Sequence, residues 1–291
     1  MAELQGLIDN PWFVYPFVLF LSLCVGSFLN VVILRLPKMM EQDWRCQCED
    51  FLEVAESQRA DTKAVSLSSP NSTCPACGHE IRPWENIPVI SYLLLRGKCS
   101  ACKAPISVRY PLIESVTAVF SVATVVIMGP TVAALWALVL VWALIALTVI
   151  DFDTQLLPDS ITLPLLWLGL ILNYFGILTD FHSAFWGAVV GYLSLWSVYW
   201  LFKLVTGKEG MGYGDFKLLG ALGAWLGWQL VPAVILLSSI VGAVVGISLI
   251  VFRGQGREVP IPFGPYLAAA GLLCLWFGAE IQVAWYAYLG V

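Results

Sequence analysis

The chain has 291 residues, of which 59% are hydrophobic and only 12% charged, and its mean hydropathy is +0.82. Soluble domains carry about 25% charged residues, so a soluble globular enzyme and a disordered chain are both excluded. The net charge of −5 argues against nucleic acid as a partner. The 13 Trp, 15 Phe and 10 Tyr suit the aromatic belts of a bilayer. This is the composition of an integral membrane protein.

Charge-free stretches run over 10–34, 115–150, 160–179, 181–202, 218–252 and 259–279. A helix crossing the hydrocarbon needs about 20 apolar residues, so four of these predict one span each. The other two, 36 and 35 residues long, are broken near the middle by Gly129-Pro130 and by Gly227 with Pro232. Each of the two predicts a pair of short helices, which makes eight spans. The first stretch has no basic start, follows Glu3 and Asp9, and leads into no cleavage site, so it reads as a retained helix rather than a signal peptide.

Positive loops stay cytoplasmic. Ten of the 15 basic residues lie between Arg35 and Arg109, and the rest are Lys203, Lys208, Lys217, Arg253 and Arg257. With eight spans and the N-terminus outside, segments 35–109, 203–217 and 253–258 all fall inside, and parity places the 151–159 turn with them. The expected fold is an all-α polytopic membrane protein of about eight transmembrane helices. A small cytoplasmic zinc-binding domain sits between helices 1 and 2. The expected divisions are 1–36, 37–110 and 111–291.

Six of the eight cysteines fall in the polar segment. Cys74-Pro-Ala-Cys77 and Cys99-Ser-Ala-Cys102 are two CxxC knuckles separated by 21 residues. Each knuckle offers two thiolates on a tight turn, and two knuckles complete a tetrahedral, structural zinc site. Gly78 and Lys103 fit the turns that follow. A cytoplasmic location argues against disulfides. His79 reads as a solvated loop residue rather than a further ligand. Cys46 and Cys48 form a CxC in an acidic insert, 41–61, expected to be mobile or helical. Cys24 and Cys274 read as small core residues within spans.

Acidic residues are expensive near a bilayer, and only eight occur from Ser115 onward. Asp151, Asp153 and Asp159 lie in one cytoplasmic turn and Asp215 lies in another, Gly210-Met-Gly212-Tyr-Gly214-Asp215-Phe-Lys217. Two carboxylates sharing a site can divide acid and base roles, one drawing a proton from water and one donating to a peptide carbonyl. Asp159, after Pro158, reads as a helix N-cap. Asp153 reads as a turn residue, and Asp151 as the most buried of the three. The glycines are expected to allow unusual backbone angles and close approach of a substrate strand. A transporter using a proton relay would place acids at span centres, where this chain has none.

In chain order, the motifs begin with Gly26-Ser-Phe-Leu-Asn30-Val-Val-Ile-Leu-Arg35-Leu-Pro37 and the two knuckles. Arg82-Pro-Trp-Glu-Asn86-Ile-Pro-Val-Ile-Ser91-Tyr and Ile106-Ser-Val-Arg109-Tyr-Pro-Leu-Ile-Glu114 follow. The last are 151–159, 210–217 and Ile261-Pro-Phe-Gly-Pro-Tyr266. Across nearly its whole length the chain resembles the type IV prepilin peptidases, or leader peptidase/N-methyltransferases, which are GxGD-type intramembrane aspartyl proteases of pilus and type II secretion systems. The resemblance implies that Asp151 and Asp215 are the catalytic pair, with Asp153 and Asp159 in support. It implies cleavage of the basic leader of prepilins and pseudopilins on the cytoplasmic side of the bacterial inner membrane. Methylation of the new N-terminal residue, often Phe, would follow, with S-adenosylmethionine as donor. The cysteine-bearing segment is the part associated with methyl transfer, zinc there being structural. A peptidase lacking methyl transfer is the alternative. No GxGxxG follows a strand, so no donor contacts are assigned to residues. Glu114, at the mouth of the second span, is a candidate to hold a basic leader, against helix-end capping or pairing with Arg109.

Overall fold

The computed structural model describes residues 10–54, 65–253 and 261–289. Glu3, Asp9, the end of the acidic insert and most of 253–258 lie outside them. The chain divides into two compact units, 1–125 and 126–291.

In the first unit, helix α1 (Pro11–Phe51) starts with the Asn10 side chain accepting the Trp12 N–H. It passes through Pro37 and runs to Phe51, well past the predicted end at 36. Residues 38–51 are rich in Met, Glu, Gln, Lys and Arg, all good helix formers, so the helix carries on into the polar segment. Cys46 and Cys48 are exposed on this extension. Positions two apart on a helix point about 200° apart, so these two thiols cannot grip one ion together. Cys24 is also exposed, not a core residue as expected.

A short 3-10 turn (Pro83–Asn86) and helix α2 (Ile90–Leu94) lead to α3 (Arg109–Met128). Ser22, Gly26 and Asn30 recur every fourth residue of α1 and are all buried, the small-residue stripe that brings membrane helices together. A Cβ on Gly26 would stand 2.7 Å from the Glu114 Cα and 3.2 Å from the Thr117 Cβ. On α3 the buried hydroxyls of Thr117 and Ser121 donate to carbonyls one turn back, at 2.7 Å each, so neither is left unpaired. The Arg35 guanidinium donates to the carbonyls of Ser66, Leu67 and Pro70 at 3.0, 3.3 and 2.7 Å. It thereby pins the strand of chain that leads into Cys74.

The second unit holds α4 (Val132–Thr154), α5 (Asp159–Tyr174) and α6 (Phe181–Thr206). It continues with α7 (Tyr213–Leu226), α8 (Val231–Arg253) and α9 (Gly264–Leu289). The two long apolar stretches do break where Gly129 and Gly227 take positive φ, at 72° and 85°. Together with α1 and α3 these make eight long helices among the described residues, in the predicted order. Six are long and apolar enough to cross a membrane. Helices α5 and α7, of 16 and 14 residues, are shorter than the roughly 20 that a full crossing takes.

Helix α7 lies at the centre of this unit, buried from Leu218 to Trp225 among α5, α6, α8 and α9. Its closest neighbour is α6, where Gly187 and Gly223 face each other's backbone with no room for a Cβ on either. Trp225 Nε1 donates to the Leu165 carbonyl at 2.8 Å, over Gly169, where a Cβ would strike the indole. Asn173 donates to the Ala224 carbonyl at 2.8 Å and accepts the N–H groups of Leu178 and Thr179 at 3.0 Å. Replacing Gly223 with Leu therefore forces α6 and α7 apart. Overpacking of this kind costs about 3 kcal/mol, and the expected result is a sharply lower melting temperature and yield in detergent.

Candidate active site and metal centre

Three helix ends meet at one end of the second unit. Asp151 lies in the last turn of α4, not in the turn after it, and the helix closes with Gln155 in the left-handed region. Its Oδ2 accepts the Gly264 N–H at 2.9 Å, so the carboxylate caps the start of α9. A Cβ on Gly264 would stand 2.6 Å from that oxygen, so only glycine lets the backbone come this near. Asp215 lies in the first turn of α7 and within electrostatic range of Asp151. The two are buried to 5% and 7% exposure. The turns that the charge pattern placed on one face do come together, and Asp151 and Asp215 are the pair they bring close.

The glycines around Asp215 do not take the unusual backbone angles expected of them. None of Gly210, Gly212 and Gly214 has a positive φ. Gly214 is small because Leu157, from the 155–158 turn, packs on it; a Cβ there would stand 2.7 Å from the Leu157 Cβ. Gly210 likewise lies under the Phe202 ring, 2.9 Å from a would-be Cβ. Leu157 also borders Gly264, so one side chain wedges the two aspartate-bearing elements and the start of α9. Tyr199, Tyr213 and Phe216 stack edgewise with centroids 5.3–5.6 Å apart and brace the glycine-rich turn.

Asp159 is not the N-cap of α5; that place is taken by Pro158, whose missing N–H suits it to a helix start. The Asp159 carboxylate instead takes Lys217 Nζ on both oxygens at 2.7 Å. This exposed pair ties the start of α5 to α7, two residues past Asp215. Asp153 is exposed.

In the first unit the two knuckles are built alike. The Cys74 N–H donates to the His79 carbonyl at 2.9 Å, and the Cys99 N–H to the Ala104 carbonyl at 2.8 Å. Each turn closes on a residue of positive φ, Gly78 at 72° and Lys103 at 61°. The sulfurs of Cys74, Cys77, Cys99 and Cys102 all lie within 4.8 Å of one another, and those of Cys74 and Cys102 are 3.8 Å apart. This cluster can hold a metal ion. The N–H groups of Ala76 and Cys77 aim at Cys74 and bring its thiol down to about 7. Those of Cys102 and Ala101 lower Cys99 in the same way. Each knuckle thus readies its first cysteine as a thiolate, the form that binds metal.

His79 is half-buried and lies outside the four-cysteine cluster, with its ring held by partners. Its Nε2 lies 3.2 Å from both Glu85 Oε2 and the Ser100 hydroxyl, joining the first knuckle to the second. The Arg82 N–H, followed by Ser100 and His79, holds the Glu85 carboxyl down at about 2.

Residues 20–128 match the Bacterial Peptidase A24 N-terminal domain and 138–247 the Type IV leader peptidase family. The chain is 56% identical over 286 residues to the prepilin leader peptidase/N-methyltransferase of Stutzerimonas stutzeri, covering 98% of each. It is 53% identical to that of Pseudomonas aeruginosa, over 100% of this chain and 99% of the relative. The Aeromonas hydrophila protein of the same name is 53% identical over 98% of each chain. The chain belongs to the prepilin leader peptidase/N-methyltransferase family. No solved structure matches it significantly. Within this family frame, the sequence motifs missed two features, the Gly264 N–H on Asp151 and the Leu157 wedge. Ile261-Pro-Phe-Gly-Pro-Tyr266 was the available signal for the first.

Proposed function

We propose that the chain removes the basic leader of type IV prepilins and pseudopilins and then methylates the exposed N-terminal residue, with S-adenosylmethionine as donor. The observation that carries the cleavage reading is the pair of buried carboxylates, Asp151 and Asp215, at facing helix ends. One carboxylate draws a proton from water, and the water oxygen attacks the scissile carbonyl. The other donates its proton to the carbonyl oxygen and so stabilises the tetrahedral adduct. Like charges this close do not both ionise readily, which keeps the two roles apart.

The substrate is a membrane helix behind a positive leader, so its scissile bond belongs at the cytoplasmic edge of the inner membrane. The run of basic segments supports the same side for the two aspartate-bearing elements. Pilus biogenesis and type II secretion are the processes this activity serves. The segment 37–110 is assigned to methyl transfer and 111–291 to cleavage. Zinc fits the four cysteines: sulfurs around a tetrahedral zinc stand about 3.8 Å apart, the separation of Cys74 and Cys102. With four protein ligands its role is to cross-link the knuckles.

Purified enzyme incubated with prepilin tests the mechanism. Serine- and cysteine-directed protease inhibitors are expected to leave the cleavage rate unchanged, because no hydroxyl or thiol attacks the peptide. Clear inhibition by either class contradicts an aspartate mechanism.

A further inference from the structure

Glu114 is a buried carboxylate outside the Asp151–Asp215 pair. It is 7% exposed at the start of α3. Its Oε2 accepts the Val89 N–H at 2.7 Å, and the Ser27 hydroxyl of α1 donates to it as well. Both donors are neutral. A glutamine here would still accept the Val89 N–H and would avoid the cost of burying a charge. A carboxylate in such a place is suited to a cation that arrives with a ligand.

The surroundings are rigid. The Gly26 backbone presses on the Glu114 Cα, and Asn30 Nδ2 donates to the carbonyls of Gly26 and Tyr110 at 3.3 and 3.2 Å. Val89 has φ 59°, a costly conformation for a β-branched residue. Such strain persists where neighbours over-determine it, and it gathers at functional sites. The Ser91 N–H and hydroxyl both donate to the Ile87 carbonyl, closing the turn on its other side.

We propose that Glu114 receives the free α-amino group of the cleaved substrate for methyl transfer. The inference rests on the methyl-transfer reading above, in which the substrate is a primary amine. An α-amino group titrates at about 7.7–8.0, so it arrives largely as an ammonium that pairs with the carboxylate. The ammonium gives one proton to Glu114, and the freed electron pair on nitrogen attacks the methyl carbon. The nitrogen–carbon bond forms as the donor's carbon–sulfur bond breaks, and the product leaves as a secondary ammonium.

The test uses the full chain in detergent and a synthetic peptide beginning with a free N-terminal Phe, with peptide and S-adenosylmethionine varied separately. In Glu114→Gln the KM for the peptide is expected to rise at least tenfold while the KM for the donor stays put. A melting temperature and a metal content equal to the wild type's show that the first unit, which holds both Glu114 and the four cysteines, is folded. Unchanged constants overturn the proposal, and so does an equal rise in both, which marks a merely structural loss. If the wild type methylates nothing, the methyl-transfer reading fails and takes the proposal with it.

Discussion

Asp151→Asn and Asp215→Asn should each cut leader cleavage by roughly 1,000-fold, the middle of what a positioned acid or base contributes. The substitution at 151 is a clean one. An asparagine carbonyl can still accept the Gly264 N–H that Asp151 holds at 2.9 Å, so the start of α9 stays capped and only proton exchange is lost. At 215 the amide keeps the shape in the first turn of α7 and removes the charge that faces Asp151. Both variants should therefore insert and melt like the wild type. Initial rates on purified prepilin check this, and cleavage within tenfold of wild type by either variant removes that aspartate from the pair.

Replacing Cys74 and Cys77 together with Ser should release bound metal and abolish methyl transfer while cleavage persists. Serine hydroxyls are poor zinc ligands, and two of four thiolates cannot close a tetrahedron. The remaining links between the knuckles, His79 with Glu85 and Ser100, are ordinary hydrogen bonds and do not substitute for a metal. Cleavage is retained because Asp151 and Asp215 belong to the other compact unit. Elemental analysis of the purified protein should find one zinc per wild-type chain and almost none in the double variant. A wild type free of metal contradicts the zinc assignment, and a double variant that still methylates separates the metal from that activity.

Local pattern carried much of this architecture. Charge-free runs and the breakers Gly129 and Gly227 marked the helices because hydrophobicity and backbone freedom are properties of adjacent residues. The knuckles were legible for the same reason, their two-residue spacing being itself the geometry. Contacts between distant residues were not. Asp151 meets a backbone N–H 113 residues away, and the motif around Gly264 marks that residue without naming the carboxylate it meets. Gly214 was expected to need unusual backbone angles, yet its φ is not positive and it is small to admit Leu157. The first helix was expected within 1–36, yet α1 passes through Pro37 and runs to Phe51, since the favourable residues beyond outweigh one missing N–H. Asp159 was misread, and the bonds of His79 went unforeseen, because their partners, Lys217 and Glu85 with Ser100, come from other turns of the chain.

The most direct measurement is the mass of a prepilin's N-terminus after co-expression with the wild-type chain or with Asp215→Asn. Loss of the leader together with one added methyl group, in the wild type alone, is the predicted result. An intact leader with the wild type, or a trimmed one with Asp215→Asn, contradicts cleavage by the Asp151–Asp215 pair.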